Sequence, residues 1–164
     1  MKRLPMLFIT ASLGFALVGC QTDDHSEHSQ VDHSLMMGDI QEETSSMDVL
    51  PVFLDEYAEV IQTIYAEVPY YRELLETMPC YCGCGESVGH RSSYDCFVAE
   101  HSDDGPFTWD DHGAKCGVCL EIANTAMHLL DEGKDPEDIR NLIDEQYKDG
   151  YAPPTDTPMP EDKI

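Results

Sequence analysis

Apolar positions return at helical spacing over three stretches of the chain, with polar sequence between them. Val52, Leu54, Tyr57, Val60, Ile61, Ile64 and Tyr65 predict one amphipathic helix that closes before Pro69. A short second helix is expected from about Pro69, with Leu74, Leu75 and Met78 on its apolar side and Pro79 at its end. From about Gly113, the positions Cys116, Cys119, Leu120, Ala123, Met127 and Leu130 follow i, i+3, i+4, i+7 spacing until Gly133 stops the run. Asp135 then caps a last helix, with Pro136 at its first position and Ile139, Leu142, Ile143 and Tyr147 as its buried stripe. Residues 84 to 113 are rich in Gly, Ser, Asp and His and read as loop, with a short helix around Tyr94–Glu100. No alternating stretch of useful length marks a strand. The expected fold is all-α: a small helical bundle with one long, cysteine-rich loop.

The flanks of this pattern divide the chain. Met1-Lys2-Arg3 is a basic head, Leu4 through Val18 is apolar and uncharged, and the sequence turns polar at Gln21. That is the layout of a secretory signal peptide, and it is shorter than the ~20 apolar residues of a spanning helix. Leu17-Val18-Gly19-Cys20 resembles the bacterial lipobox. The resemblance implies cleavage before Cys20, diacylglycerol on its sulfur and retention at the extracytoplasmic face of the cell membrane. The expected segments are a lipoprotein signal peptide at 1–19, a disordered tether at 20–48, a cysteine-rich helical domain at 49–151 and an extended, proline-rich tail at 152–164. The tether carries His25, His28, His33, Met36 and Met37, donors that suit copper. A solvated spacer is the preferred reading of it.

Charge narrows the partners. The formal net charge is −24, and becomes more negative by two when Lys2 and Arg3 leave with the signal. Such a chain repels phosphate backbones, which argues against nucleic acid, and concentrates cations near its surface.

Six of the seven cysteines fall between residues 80 and 119. Cys80, Cys82 and Cys84 alternate along the chain, Cys96 follows, and Cys116 and Cys119 stand on one face of the third predicted helix. Thiols spaced in this way converge only through a looped backbone, and a metal centre gives them a reason to converge. Soft thiolates select copper(I), zinc or an iron–sulfur cluster. Crowded thiolates favour copper(I), and a set completed by His90 or His112 favours zinc. The metal candidates are Cys80, Cys82, Cys84, Cys96, Cys116, Cys119, His90 and His112. His101 and His128 are weaker candidates. Tyr94, Phe97 and Trp109 read as core covering the site. Asp95, Asp110 and Asp111 read as solvated charges in preference to carboxylates backing a histidine.

Two other readings stay open. Exported small domains are often stapled by disulfides, and Cys116–Cys119 and a bridge from Cys96 to the loop are plausible pairs; the protein would then be a surface module binding a protein or cell-wall partner. A thiol-disulfide oxidoreductase working through Cys116 and Cys119 is the third, weakened by the absence of a thioredoxin-like sheet context. No phosphate loop, nucleophile elbow or His-Glu-x-x-His motif argues for an enzyme.

Pro79-Cys80-Tyr81-Cys82-Gly83-Cys84-Gly85, with His90, Tyr94-Asp95-Cys96-Phe97, Trp109-Asp110, His112 and Cys116-Gly117-Val118-Cys119, resembles the bacterial PCYCGC-motif family over residues 48–152. The resemblance implies an exported, lipid-anchored protein and leaves the activity open. The expected function is that of a membrane-tethered protein that buffers, stores or delivers a copper or zinc ion.

Overall fold

The computed structural model describes residues 38–102 and 105–161. The signal peptide, Cys20 and the His and Met positions of the tether lie outside the described residues.

The fold is mixed α and β, which corrects the all-α expectation. Three short strands, β1 (Gln41–Thr44), β2 (Val98–His101) and β3 (Phe107–Asp110), form an antiparallel sheet in the order β1-β3-β2. Gln41 pairs with Asp110 and Thr44 with Phe107, while β2 pairs with β3 across an irregularity between Val98 and Glu100. Four-residue strands are too short to build a period-two signal, and β1 is wholly polar. Its place in the sheet comes from backbone pairing and from Trp109, whose Nε1 donates to Thr44 Oγ1 at 3.1 Å and to the Val49 carbonyl at 3.0 Å. Residues 41–44 are therefore part of the fold and not of a disordered tether. The helix expected around Tyr94–Glu100 is a single 3-10 turn, Tyr94–Cys96, leading into β2.

The helical stretches are shorter than their periodicity suggested. The first expected helix divides into a 3-10 turn, Val52–Glu56, and α1 (Glu59–Glu67), because Tyr57 and Ala58 are extended. Val52 and Val60, expected on the buried face, are 69% and 65% exposed. A 3-10 turn, Val68–Tyr71, leads into α2 (Arg72–Leu75), and Leu74, Leu75 and Met78 are fully buried. Two further one-turn helices, α3 (Gly85–Val88) and α4 (His112–Lys115), flank the loop region.

The long helix α5 (Gly117–Asp131) packs against α1, α2 and α6 (Pro136–Tyr147). It ends in a Schellman motif: Gly133 has φ 80°, its N–H donates to the Leu130 carbonyl, and Lys134 N–H reaches back to Leu129. Asp135 caps α6 by accepting from Glu137 N–H at 2.9 Å. Ile139, Ile143 and Tyr147 are buried as expected, and Leu142 is exposed.

The tail also departs from its expectation of having nothing to bury. Thr155 exchanges two hydrogen bonds with Cys80, Ala152 N–H donates to the Tyr81 carbonyl, and Pro160 is buried. Arg140, on α6, donates to Thr157 Oγ1 at 2.9 Å and to the Pro158 carbonyl at 3.2 Å. The tail is a strap along the cysteine loop.

Candidate metal centre

Local backbone demands explain how the cysteine run is held. Ser93 N–H donates to the Met78 carbonyl at 2.8 Å, tying the start of the run to the segment before Tyr94. Gly83 adopts φ 81°, a left-handed conformation that favours glycine, and turns the chain between Cys82 and Cys84. At Gly85 the constraint is space: a Cβ there would lie 2.6 Å from the Thr155 methyl and 2.9 Å from the His90 carbonyl oxygen. The glycines of the motif are thus matched to the strap and to the chain around His90.

The loop, the Tyr94–Cys96 turn and the start of α5 meet at one place. The Cys80, Cys96 and Cys119 sulfurs lie within 4.8 Å of one another, and all three residues are buried. Cys96 Sγ is 3.9 Å from Cys80 Sγ and 3.4 Å from Cys119 Sγ. Cys82 Sγ lies 2.9 Å from Cys80 Sγ, and joins Cys119 and His112 in a second group of the same compactness. The six cysteines of the run are free thiols.

Cys116 does not lie inside a helix with Cys119, as the periodicity suggested. It is the N-cap of α5, with φ −119° and ψ 108°, and its thiol reaches Cys82. Cys84 is buried and its Sγ faces the Cys82 carbonyl at 3.9 Å; it belongs to none of the compact donor groups found among the described residues.

Electrostatics differentiate these sulfurs. Hydrogen bonds from Cys116 and Cys119, opposed by Cys80 and burial and aided by His112, bring the Cys82 thiol down to about 5. Cys119 and Cys80 bring Cys96 to about 7 against its burial. Burial and the neighbouring Cys82 push Cys84 up, and Cys116 followed by the other sulfurs pushes Cys119 up. Cys82 is therefore the sulfur most readily ionised in the group, followed by Cys96.

Both histidines come to the cluster. His112 opens α4 and is buried; its Nε2 lies 3.9 Å from Cys82 Sγ and its Nδ1 3.1 Å from Asp39 Oδ2. Burial lowers its affinity for a proton, but Cys82 and Asp39 outweigh that and hold the imidazole at about 9. A carboxylate behind one ring nitrogen and a thiolate before the other is the arrangement that orients a metal-binding histidine. His90 packs edge-to-face on His112, with ring centroids 4.7 Å apart. His101 packs edge-to-face on Tyr94 and tilted against Phe107, and exposed His128 pairs with Glu132, so both stand elsewhere.

Asp110 and Asp111, read as solvated, are almost wholly buried. Asp110 Oδ1 accepts from His112 N–H at 2.8 Å and Oδ2 accepts from Gln41 Nε2 at 3.0 Å. Asp111 pairs with Lys115 and accepts from Ile40 N–H. A carboxylate two residues before a helix-opening histidine is an Asx-turn signal that the sequence offered. Asp39, in the stretch expected to be tether, carried no such signal. Tyr94, Phe97 and Trp109 are core, as expected.

A cavity of about 750 Å³ lies between the motif and the strap, lined by Cys80, Gly83, Gly85, His90, Pro153 and Thr155 among others.

The fold and site define a small mixed α and β protein built around a buried cluster of thiols and imidazoles. The chain belongs to the PCYCGC family, described as a protein of unknown function with PCYCGC motif, whose model matches residues 9–160. No curated protein and no solved structure matches it.

Proposed function

We propose that the protein binds a thiophilic metal ion, copper or zinc, in the cluster and buffers, stores or delivers it from a lipid anchor at the outer face of the membrane. The observation that carries this reading is the approach of the free, buried Cys80, Cys96 and Cys119 sulfurs to within 4.8 Å of one another, with Cys82 and His112 adjoining. Sulfurs bound to one zinc ion at about 2.3 Å lie roughly 4 Å apart, so this set needs little rearrangement to accept an ion. Cys80, Cys96 and Cys119 suit copper(I), whereas Cys82, Cys119 and His112 backed by Asp39 suit zinc. The acidity of the chain supports the reading by raising the local concentration of cations.

Elemental analysis of anaerobically purified protein, with thiol counting, tests it. At least one thiophilic ion per chain is expected, with most cluster cysteines protected from alkylation until a chelator is added. A metal-free protein carrying three disulfides would overturn the reading in favour of a stapled module. The anchor is tested separately: Cys20→Ala should release the protein from membranes or block its processing, and unchanged partitioning into the detergent phase would exclude lipidation there.

A further inference from the structure

Beside the sulfurs lies a group of different chemistry, in which His90, also grouped with Cys96 and His112, faces two carboxylates. His90, Asp110 and Asp39 each offer a ligand atom within 4.8 Å of the other two. His90 is 9% and Asp110 1% exposed, so both are withdrawn from bulk water. His90 Nε2 stands 3.9 Å from Asp110 Oδ2, too far for a hydrogen bond, and His90 Nδ1 has no hydrogen-bond partner among the described residues. Both Asp110 oxygens already accept hydrogen bonds, from His112 N–H and Gln41 Nε2, so the costly group is the buried His90 imidazole, which needs something to satisfy it. The nearby ammonium does not: Lys115 is directed to Asp111 at 2.7 Å and to Asp39 at 3.7 Å. Nitrogen and oxygen ligands at about 2.0–2.2 Å from one ion are separated by roughly 3–4 Å, which is the width of this gap.

We propose that His90, Asp110 and Asp39 form a second cation site, adjoining the thiolate cluster and taking a divalent ion that prefers nitrogen and oxygen donors. Three protein ligands leave coordination positions for water, and carboxylates with an imidazole suit manganese(II), iron(II) or zinc over copper(I). Asp39 is shared, because its Oδ2 also supports His112 Nδ1 at 3.1 Å. The two sites therefore adjoin but sort ions by softness, sulfur on one side and oxygen and nitrogen on the other. The proposal does not depend on the thiolate cluster holding copper or zinc.

Manganese(II) is the probe, since it shuns thiolates and its free ion is read directly by electron paramagnetic resonance. Titration of the full chain in detergent, with its thiols reduced, should remove one equivalent of manganese(II) from the free signal. His90→Ala should weaken that equivalent roughly tenfold or more, and Asp39→Asn should do the same, while circular dichroism stays native. Should His90→Ala fail to fold, Asp39→Asn, whose side chain is only partly buried, decides alone. Manganese bound equally by wild type and the folded variants would mean adsorption to the acidic surface and would overturn the proposal, as would no bound equivalent in the wild type. Cys96→Ser separates the two sites: it should lower the thiophilic ion content and leave manganese binding within about twofold. A protein that takes manganese but no copper or zinc would sink the proposed function and keep this site.

Discussion

Cys82 stands where the cluster's sulfurs and His112 meet, and its surroundings set its reactivity. With its thiol brought down to about 5 while Cys84 and Cys119 are pushed up, the metal-free, reduced protein should be alkylated first at Cys82. Peptide mapping after a short iodoacetamide pulse at about pH 6.5, where ordinary thiols are nearly silent, checks this. First modification at Cys84 would contradict it. His112 makes a pH-dependent contribution of the opposite sense. Its imidazole is held at about 9 in the fold, against about 6.5 when unfolded. The folded state therefore binds the extra proton between these values, and its stabilisation is complete below about 6.5 and lost as pH rises through about 9. Urea unfolding of metal-free wild type and His112→Gln should give a stability difference that shrinks across that interval. The convergence of Cys80, Cys82, Cys96, Cys119, His90 and His112 was legible because their residue types are rare and closely spaced, whereas the separation of Cys84 from the donor groups was not. Asp39 was not, since one carboxylate among 33 acidic residues carries no mark of burial.

The contacts between secondary-structure segments decide how rigidly these side chains are presented. Tyr65 on α1 donates through its hydroxyl to the Asp110 carbonyl at 2.7 Å and accepts from Ala114 N–H at 2.9 Å, joining α1, β3 and α4. Tyr65→Phe leaves two backbone groups unsatisfied in the core and should cost about 1–3 kcal/mol in chemical denaturation. A smaller loss would show that water or a shifted backbone replaces the hydroxyl. Gly85→Ala should cost about 1–3 kcal/mol because its Cβ meets a backbone oxygen, which cannot swing aside as the Thr155 methyl can. The amphipathic parts of α5 and α6 were readable from period and caps. β1, β2 and β3 were not, because a four-residue strand is stabilised by its partners and by Trp109, and not by a pattern of its own.

The strap brings the end of the chain back to the motif. Deleting residues 152–164 removes the two Thr155 hydrogen bonds to Cys80, the Ala152 bond to Tyr81 and the Arg140 bonds to Thr157 and Pro158. Native-state stability should fall by about 2–5 kcal/mol, and a bound ion should be extracted by a chelator faster than from the full chain. Equal extraction rates would mean that the strap supports the loop without restricting access to it. The amino-acid pattern alone established the body of α5 and α6 with the Gly133 and Asp135 caps, the acidity of the chain, and the 80–119 window with its sulfur and imidazole donors, since these rest on local propensity and residue chemistry. Packing established the sheet, the burial of Asp110 and Asp111, the recruitment of Asp39 and the return of the tail. Those features depend on residues as much as 75 positions apart, as Cys80 and Thr155 are, and no local pattern encodes a contact of that range.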